Sequence, residues 1–185
     1  MSNERQKSLK LHLGCGSVHL DGFVNIDLHY NPSVDVVDNV RFLRRFQPQS
    51  ISEIYACHVL EHFSRWENTV VLERWFELLL SGGILRVCVP DFESVCRYYL
   101  EHGDLKPLIG ILYGGQDHDW NNHHYCWDFS SLRADLEAIG FIDVELYRWQ
   151  DTEFAGHDDY SQAYLPHMDK EHGRLMSLNV IARKP

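Results

Sequence analysis

The chain has 185 residues, 44% hydrophobic and 24% charged, which is ordinary for a globular protein with one full core. Its formal net charge of −10 opposes binding to phosphate backbones and anionic lipid, so we expect neither nucleic acid nor a membrane as a partner. No apolar run approaches the roughly 20 residues that span a bilayer, and five cysteines without a Cys-x-x-Cys pair favour a reduced, cytoplasmic setting.

The first predicted element is a strand over residues 9–13, which follows a loose tail, residues 1–8. The sequence LHLGCG at 11–16 ends this strand in a Gly-x-Gly turn. Only seven residues, 17–23, separate the turn from a second strand that ends near Asp27. A parallel crossover usually needs a dozen residues or more and a helix. We therefore expect the first crossover to be a clipped loop or a single turn.

Strands and helices then alternate. Strands are predicted over 34–38, 51–59 and 84–89. A capping box at Ser64 and Glu67 begins a helix that buries apolar residues at 71–79 and ends at Gly82. A second helix, capped by Asp91, is expected to bury an apolar stripe along residues 92–100. A third helix covers 130–139, and a polar loop over 150–176 separates the last two strands, 143–149 and 178–183.

This alternation predicts an α/β fold, a doubly wound, mostly parallel sheet with a hairpin-like edge, in a single domain over residues 9–185. Ligands of such sheets bind outside the carboxyl ends of the strands. A dinucleotide is disfavoured there, because His19 replaces the third glycine of its fingerprint and no crossover helix faces a pyrophosphate. The turn suits a nucleoside without phosphate, whose ribose Asp27 can bind. S-adenosylmethionine is the common cofactor of that kind.

Four segments of the first half carry a family resemblance: LHLGCG at 11–16, VNID at 24–27, IYACHVLEH at 54–62 and GGILRVCVPD at 82–91. In order and spacing they resemble the motifs of class I S-adenosylmethionine-dependent methyltransferases. They are most similar to the small bacterial group with a compressed first crossover. The resemblance implies a Rossmann-like methyltransferase sheet with an antiparallel last strand, S-adenosylmethionine as cofactor, and methyl transfer to a small-molecule or sugar-like acceptor.

The resemblance also implies which residues bind the cofactor: Gly14, Cys15, Gly16, Asp27, Leu28, Asp38, Cys57 and His58. The turn would line the methionine and ribose part, Asp27 would bind the ribose, and Leu28 would pack on the adenine with Asp38 at its edge. The Cys57–His58 pair would form the floor under the sulfonium. Two positions depart from the family, because His12 stands where Glu or Asp is frequent and Val18 replaces the third glycine.

The sequence QDHDWNNHHYC at 116–126 is the segment richest in possible catalytic groups. We expect it to form the acceptor wall over the cofactor, where His123 and His124, and after them His58 and Asp91, are candidates to take a proton from a hydroxyl acceptor. Glu61 is expected in a pocket wall rather than as a base. The spacing of 116–126 matches no familiar metal site, so no metal ligands are predicted.

Two alternatives of other classes stay open. One is a metal-dependent hydrolase that uses the His and Asp residues of 116–126. The other is a non-catalytic module that keeps the fold and binds S-adenosylmethionine.

Overall fold

A computed structural model describes residues 8–185 of the chain. The predicted loose tail, residues 1–8, lies outside the described residues except for the exposed Ser8. None of the helices within 8–185 is long and apolar enough to cross a membrane.

Seven strands form the main sheet. They are β1 (Leu9–Leu13), β2 (Val24–Asp27), β3 (Val36–Val37), β4 (Ile51–Cys57), β5 (Leu79–Pro90), β6 (Ile142–Leu146) and β9 (Ser177–Arg183). Their order is β3-β2-β1-β4-β5-β9-β6. The first five pair in parallel, and β9 lies antiparallel between β5 and β6. The mostly parallel α/β sheet with an antiparallel last strand is confirmed.

Two of the helices that the structure describes, the first and the last, cover one face of this sheet. The helices are α1 (Arg65–Leu78), α2 (Phe92–His102), α3 (Ile109–Tyr113) and α4 (Phe129–Ile139). α1 and α4 contact each other and bury the largest apolar cluster, in which Trp75 is fully buried and donates its indole N–H to the Val40 carbonyl. α1 begins as predicted, because Glu67 accepts hydrogen bonds from both the backbone and the hydroxyl of Ser64.

Irregular chain covers much of the opposite face. Leu20 and Phe23 from the first crossover pack there with Phe154 against Tyr55 and its neighbours on the sheet. Residues 14–23 form turns and contain no helix, which confirms the clipped first crossover. No helix from residues 14–23 therefore covers the ends of the neighbouring strands.

Asn25 is the residue that holds this short crossover in place. Its fully buried side chain accepts hydrogen bonds at Oδ1 from the Leu20 N–H and the His12 ring, and donates from Nδ2 to the Leu20 and Phe23 carbonyls. His12 and Asn25 are direct partners in the β1–β2 register. The unusual His12 thus has a structural explanation, since it bonds the side chain that fixes the loop.

Several sequence predictions about element boundaries and faces are wrong. α1 ends at Leu78 rather than at Gly82, and β5 begins at Leu79. Gly82 and Gly83 lie in the irregular start of β5, where the register with β4 shifts. Glycine inside a strand often marks such a bulge. The third strand shrinks from 34–38 to Val36–Val37. The loop over 150–176 contains a small hairpin, β7 (Tyr164–Leu165) and β8 (Arg174–Leu175).

The apolar stripe predicted for α2 is also wrong. Phe92, Tyr99 and Leu100 are 42%, 47% and 82% exposed, whereas Val95 and Tyr98 are buried. The physical reason is the partner that α2 meets. It packs on a small cluster with Leu108 and Met176 and on β8, rather than on the wide main sheet, and so buries a narrower stripe.

Asn25→Ala is expected to lower the free energy of unfolding by about 3 kcal/mol, because it leaves the buried Leu20 N–H and the His12 N–H without partners. Asn31→Ala, which removes a bond to Gly16 near the surface, is the matched control and should cost about 1 kcal/mol. Urea unfolding of both variants measures the difference. Equal losses would contradict the role given to Asn25.

His12 predicts a component of the pH dependence of stability. Burial lowers the pKa of His12, and its hydrogen bond with Asn25 offsets only part of that shift. The unfolded chain therefore binds a proton at about pH 6.5 that the folded chain binds only at lower pH, so stability is lost as pH falls below about 6.5. His12→Asn keeps an N–H donor without titrating, and its stability should fall less between about pH 7 and pH 5. Parallel stability curves for the two proteins would refute this.

Candidate functional site

The turn after β1 and the end of β2 meet at the carboxyl edge of the sheet. Gly14 and Gly16 have φ of 64° and 52°, a left-handed conformation that glycine adopts without strain. The Gly16 N–H donates to Asp27 Oδ2 at 2.9 Å, and the His29 N–H donates to Asp27 Oδ1 at 3.0 Å. Each carboxylate oxygen keeps a lone pair for a further donor. A Cβ built on Gly16 would meet nothing within 4 Å, so open space lies beside the turn.

The other predicted cofactor residues differ in exposure. Leu28 and Asp38 are half-buried, and the Asp38 N–H donates to the Asp27 carbonyl, which places both aspartates at one edge. Cys15 is buried, and burial together with the Asp27 carboxylate raises the pKa of its thiol to about 12. A thiol with that pKa stays protonated at neutral pH, so Cys15 can line a site but is not a nucleophile.

Gly14 also joins the turn to the segment after β4. A Cβ on Gly14 would lie 2.3 Å from Val59 Cγ2, so only glycine permits this contact. His58 begins that segment with φ 53° and donates its backbone N–H to the Cys88 carbonyl. A short 3₁₀ turn, Leu60–His62, follows and directs Glu61 inward. Cys57, by contrast, packs in the apolar cluster on the opposite face.

Glu61 is fully buried among three histidines. His58 Nδ1 lies 3.1 Å and His123 Nε2 lies 4.0 Å from Glu61 Oε1, and the rings of His62 and His123 meet edge to face at 4.9 Å. Burial raises the pKa of the Glu61 carboxyl, but the three imidazoles lower it further than burial raises it, and the net shift is downward. This downward shift of the pKa depends on positive charge on the facing imidazoles.

The His-rich segment folds into a tight loop over the strand ends. The His123 N–H donates to the Tyr113 carbonyl, and the His124 N–H donates to the Glu61 carbonyl. The tip of the loop reaches the chain after β2, where the rings of His118 and His29 lie 6.4 Å apart. The loop thus spans from Glu61 to the neighbourhood of Asp27. Its role as an acceptor wall stays a prediction.

The structure separates the catalytic candidates. His123 and His58 both face Glu61, whereas the His124 side chain is exposed and Asp91 caps α2 through the Glu93 N–H and the Ser94 hydroxyl. No sequence pattern indicates that Glu61, His62 and His123 come together, since His123 is 61 positions beyond His62 along the chain. The signal that was present is the LEH triplet at 60–62, which places an acid and a base at a strand end.

The cluster over 116–126 on which a hydrolase was considered does not assemble. Asp117, His118, Asp119, His124 and Cys126 are exposed, and His123 alone among its acids, histidines and cysteine turns inward. Across residues 8–185, the group with donor atoms close enough for a metal is Glu61, His62 and His123. The residues of 116–126 therefore do not form the metal site that the hydrolase alternative requires.

Two surface depressions lie away from this edge of the sheet. One, of about 400 Å³, is lined by charged side chains of α1 and the loop before it, including Arg41 and Arg74. The other, of about 500 Å³, lies between α2 and the β7–β8 hairpin. Neither contains a strand end that carries the predicted cofactor residues, so we place the candidate site at the carboxyl edge.

Comparison with known proteins gives a likeness of fold. No family model matches the chain, and no curated protein matches it. A S-adenosylmethionine-dependent methyltransferase from Archaeoglobus fulgidus has a TM-score of 0.60 at 13% identity, over 96% of this chain and 86% of the other. A S-adenosylmethionine-dependent methyltransferase from Mesorhizobium loti has 0.56 at 16% identity, over 96% and 91%.

A third similar structure contains ligands. It is the Burkholderia thailandensis 1,6-didemethyltoxoflavin-N1-methyltransferase with 1,6-didemethyltoxoflavin and S-adenosylhomocysteine bound, with a TM-score of 0.59 at 16% identity over 96% of this chain and 71% of the other. These likenesses, together with the strand order, show that the chain has the fold of class I S-adenosylmethionine-dependent methyltransferases. The fold implied by the sequence resemblance is confirmed.

A matched pair of glycine substitutions tests the geometry of the turn. Gly16→Ala carries only the left-handed strain, about 1 kcal/mol, because no atom lies within 4 Å of its new Cβ. Gly14→Ala carries the same strain plus the collision with Val59, and should cost about 3 kcal/mol. Chemical denaturation measures both losses. Combining Gly14→Ala with Val59→Ala should recover part of the loss, and strictly additive losses would show that the contact is absent.

Proposed function

We propose that this protein transfers a methyl group from S-adenosylmethionine to a small-molecule acceptor. The observation that carries the proposal is the meeting of the Gly14–Gly16 turn with the Asp27 carboxylate, on adjacent parallel strands of a sheet with the methyltransferase fold. The cofactor would supply a methyl group bonded to a cationic sulfur. The acceptor atom would bond to the methyl carbon from the side opposite the sulfur, and the sulfur would leave with the electron pair of the broken C–S bond.

The residues at this edge fit a nucleoside cofactor. Asp27 would accept hydrogen bonds from ribose hydroxyls, and the open space beside Gly16 admits a flat ligand against bare backbone. Leu28 would pack on the adenine ring, and Asp38 would accept from its amino group. Cys15 would line the site as a neutral thiol. His58 would form the floor under the sulfonium, whereas Cys57 packs in the apolar cluster on the opposite face of the sheet.

The acceptor side would be formed by the His-rich loop and the Glu61 cluster. Methyl transfer gains most from alignment and from the exclusion of water, and a loop folded over the strand ends provides both. A hydroxyl acceptor must also lose a proton. His58 and His123 face the buried Glu61 carboxylate, an arrangement that orients an imidazole for proton transfer, whereas His124 and Asp91 lack it. One similar structure is a 1,6-didemethyltoxoflavin-N1-methyltransferase with 1,6-didemethyltoxoflavin bound, which supports a small-molecule acceptor.

Calorimetric titration of the full chain tests the proposal. S-adenosylmethionine and S-adenosylhomocysteine should bind with one-to-one stoichiometry, and NAD should not bind. Asp27→Asn removes the charged acceptor of the ribose and should weaken binding by about 10- to 100-fold, because hydrogen bonds to charged groups contribute about 1.5–3 kcal/mol.

Asp21→Asn is the matched control, since it makes the same change of charge at a side chain that is exposed near the same crossover. It should bind S-adenosylmethionine as the unaltered protein does. Binding of NAD in preference to S-adenosylmethionine, or equal binding by the two variants, would overturn the proposal.

A further inference from the structure

The environment of Glu61 requires a positive charge that protein hydrogen bonds do not supply. Both carboxylate oxygens are buried, and neither accepts a hydrogen bond of good geometry within residues 8–185, although His58 Nδ1 lies 3.1 Å from Oε1. A buried carboxylate without donors is costly, so such a group points to a missing proton or cation. His58, His62 and His123 are the groups that face it.

The hydrogen bonds of the three imidazoles show where their protons lie. His62 Nδ1 lies 3.2 Å from the Asn122 carbonyl, and His123 Nδ1 lies 2.8 Å from the Ile111 carbonyl. A carbonyl oxygen only accepts, so each Nδ1 carries the hydrogen and each neutral ring keeps a bare Nε2. In the neutral rings, the bare Nε2 atoms of His62 and His123 and the Glu61 oxygens form a group of acceptors that lacks a cation.

In His58 the roles of the two ring nitrogens are reversed: Nε2 bonds the protein and Nδ1 faces Glu61. Asn179 Nδ2 donates to the Ser161 carbonyl, which fixes Asn179 Oδ1 as an acceptor for the Ser177 hydroxyl. The Ser177 oxygen must therefore accept from His58 Nε2, which lies 3.0 Å away. In the neutral ring, His58 Nδ1 is then bare and faces Glu61.

We propose that Glu61, His62 and His123 bind a divalent transition-metal ion of the zinc or iron(II) class. Their donor atoms all lie within 4.8 Å of one another, and two imidazoles with one carboxylate are a donor set that suits these ions. The backbone carbonyls of Asn122 and Ile111 hold the outer nitrogens of the rings, as the outer partners of metal-bound histidines do. A tetrahedral zinc site needs donors about 3.3 Å apart, so the rings move inward when the ion binds.

This site differs from the expectation that the chain has no metal ligands. The sequence places His123 in one motif and Glu61 in another, and only the folded loop brings them together. An ion with three protein ligands keeps an open position for an oxygen ligand. This assignment rests on the proposed function: the oxygen ligand belongs to the methyl acceptor, and the acceptor is therefore a hydroxyl or an enol. His58, which is outside the three-residue set, remains the group that takes the proton.

The test is titration of the untagged full chain with Zn²⁺ and Co²⁺ after treatment with a chelator. Cys96 and Cys126 are exposed and are replaced by serine in every protein used, so that their thiols do not bind the added metal. One Zn²⁺ should bind per chain, and the Co²⁺ complex should show visible ligand-field bands without thiolate charge transfer. Glu61→Gln and His123→Gln should each weaken Zn²⁺ binding by about 100-fold or more.

His124→Gln is the matched control, because its exposed side chain neighbours His123 and lies outside the cluster. It should bind Zn²⁺ as tightly as the parent protein. Circular dichroism and S-adenosylmethionine titration check that each variant is folded, and if Glu61→Gln fails to fold, His123→Gln decides. No saturable Zn²⁺ binding, or equal binding by His123→Gln and His124→Gln, would overturn the metal site. Zn²⁺ binding without S-adenosylmethionine binding would retain the metal site and remove the proposed function.

Discussion

The hydrogen bonds of the Asn25 side chain stabilise the shortened first crossover. The shape of the candidate site depends on that crossover. The buried amide bonds the loop on one side and His12 of the neighbouring strand on the other. Parallel strands normally rely on a crossover helix for this connection. Here the Asn25 side chain bonds the end of the loop to the sheet, and Asp27 and Asn31 bond its start. The loop's apolar residues Leu20 and Phe23 take the place of a helix face.

The second consequence concerns the direct contact between the turn after β1 and the segment after β4. Because Gly14 lies against Val59, the segments that carry the predicted ribose site and the Glu61 cluster are in direct contact. The negative charge of Asp27 is satisfied in part by backbone N–H groups, whereas that of Glu61 is not. A cofactor with hydroxyl donors suits the first carboxylate, and a cation suits the second.

The parts of the structure that follow local rules were predictable from the sequence. Strand alternation, the capping box at Ser64 and the absence of a helix in residues 17–23 depend on neighbours in the chain. The parts that failed depend on distant partners. The apolar spacing in α2 does not show how narrow the cluster is on which the helix packs. Gly82 resembles a helix end in the sequence, although it lies in β5. Likewise, nothing near His123 indicates that its partners are Glu61 and His62. The roles of Asp27, Asp38 and His58 in binding a cofactor stay predictions.

The uneven covering of the sheet also divides the molecule by local stability. On the face of α1 and α4, large side chains interlock and the backbone is bonded in regular helices, so its residues open together or not at all. On the other face, turns and single side-chain bonds hold the chain, and each segment can open separately. Local openings of the native protein are therefore expected on the face of the first crossover, away from the helical core.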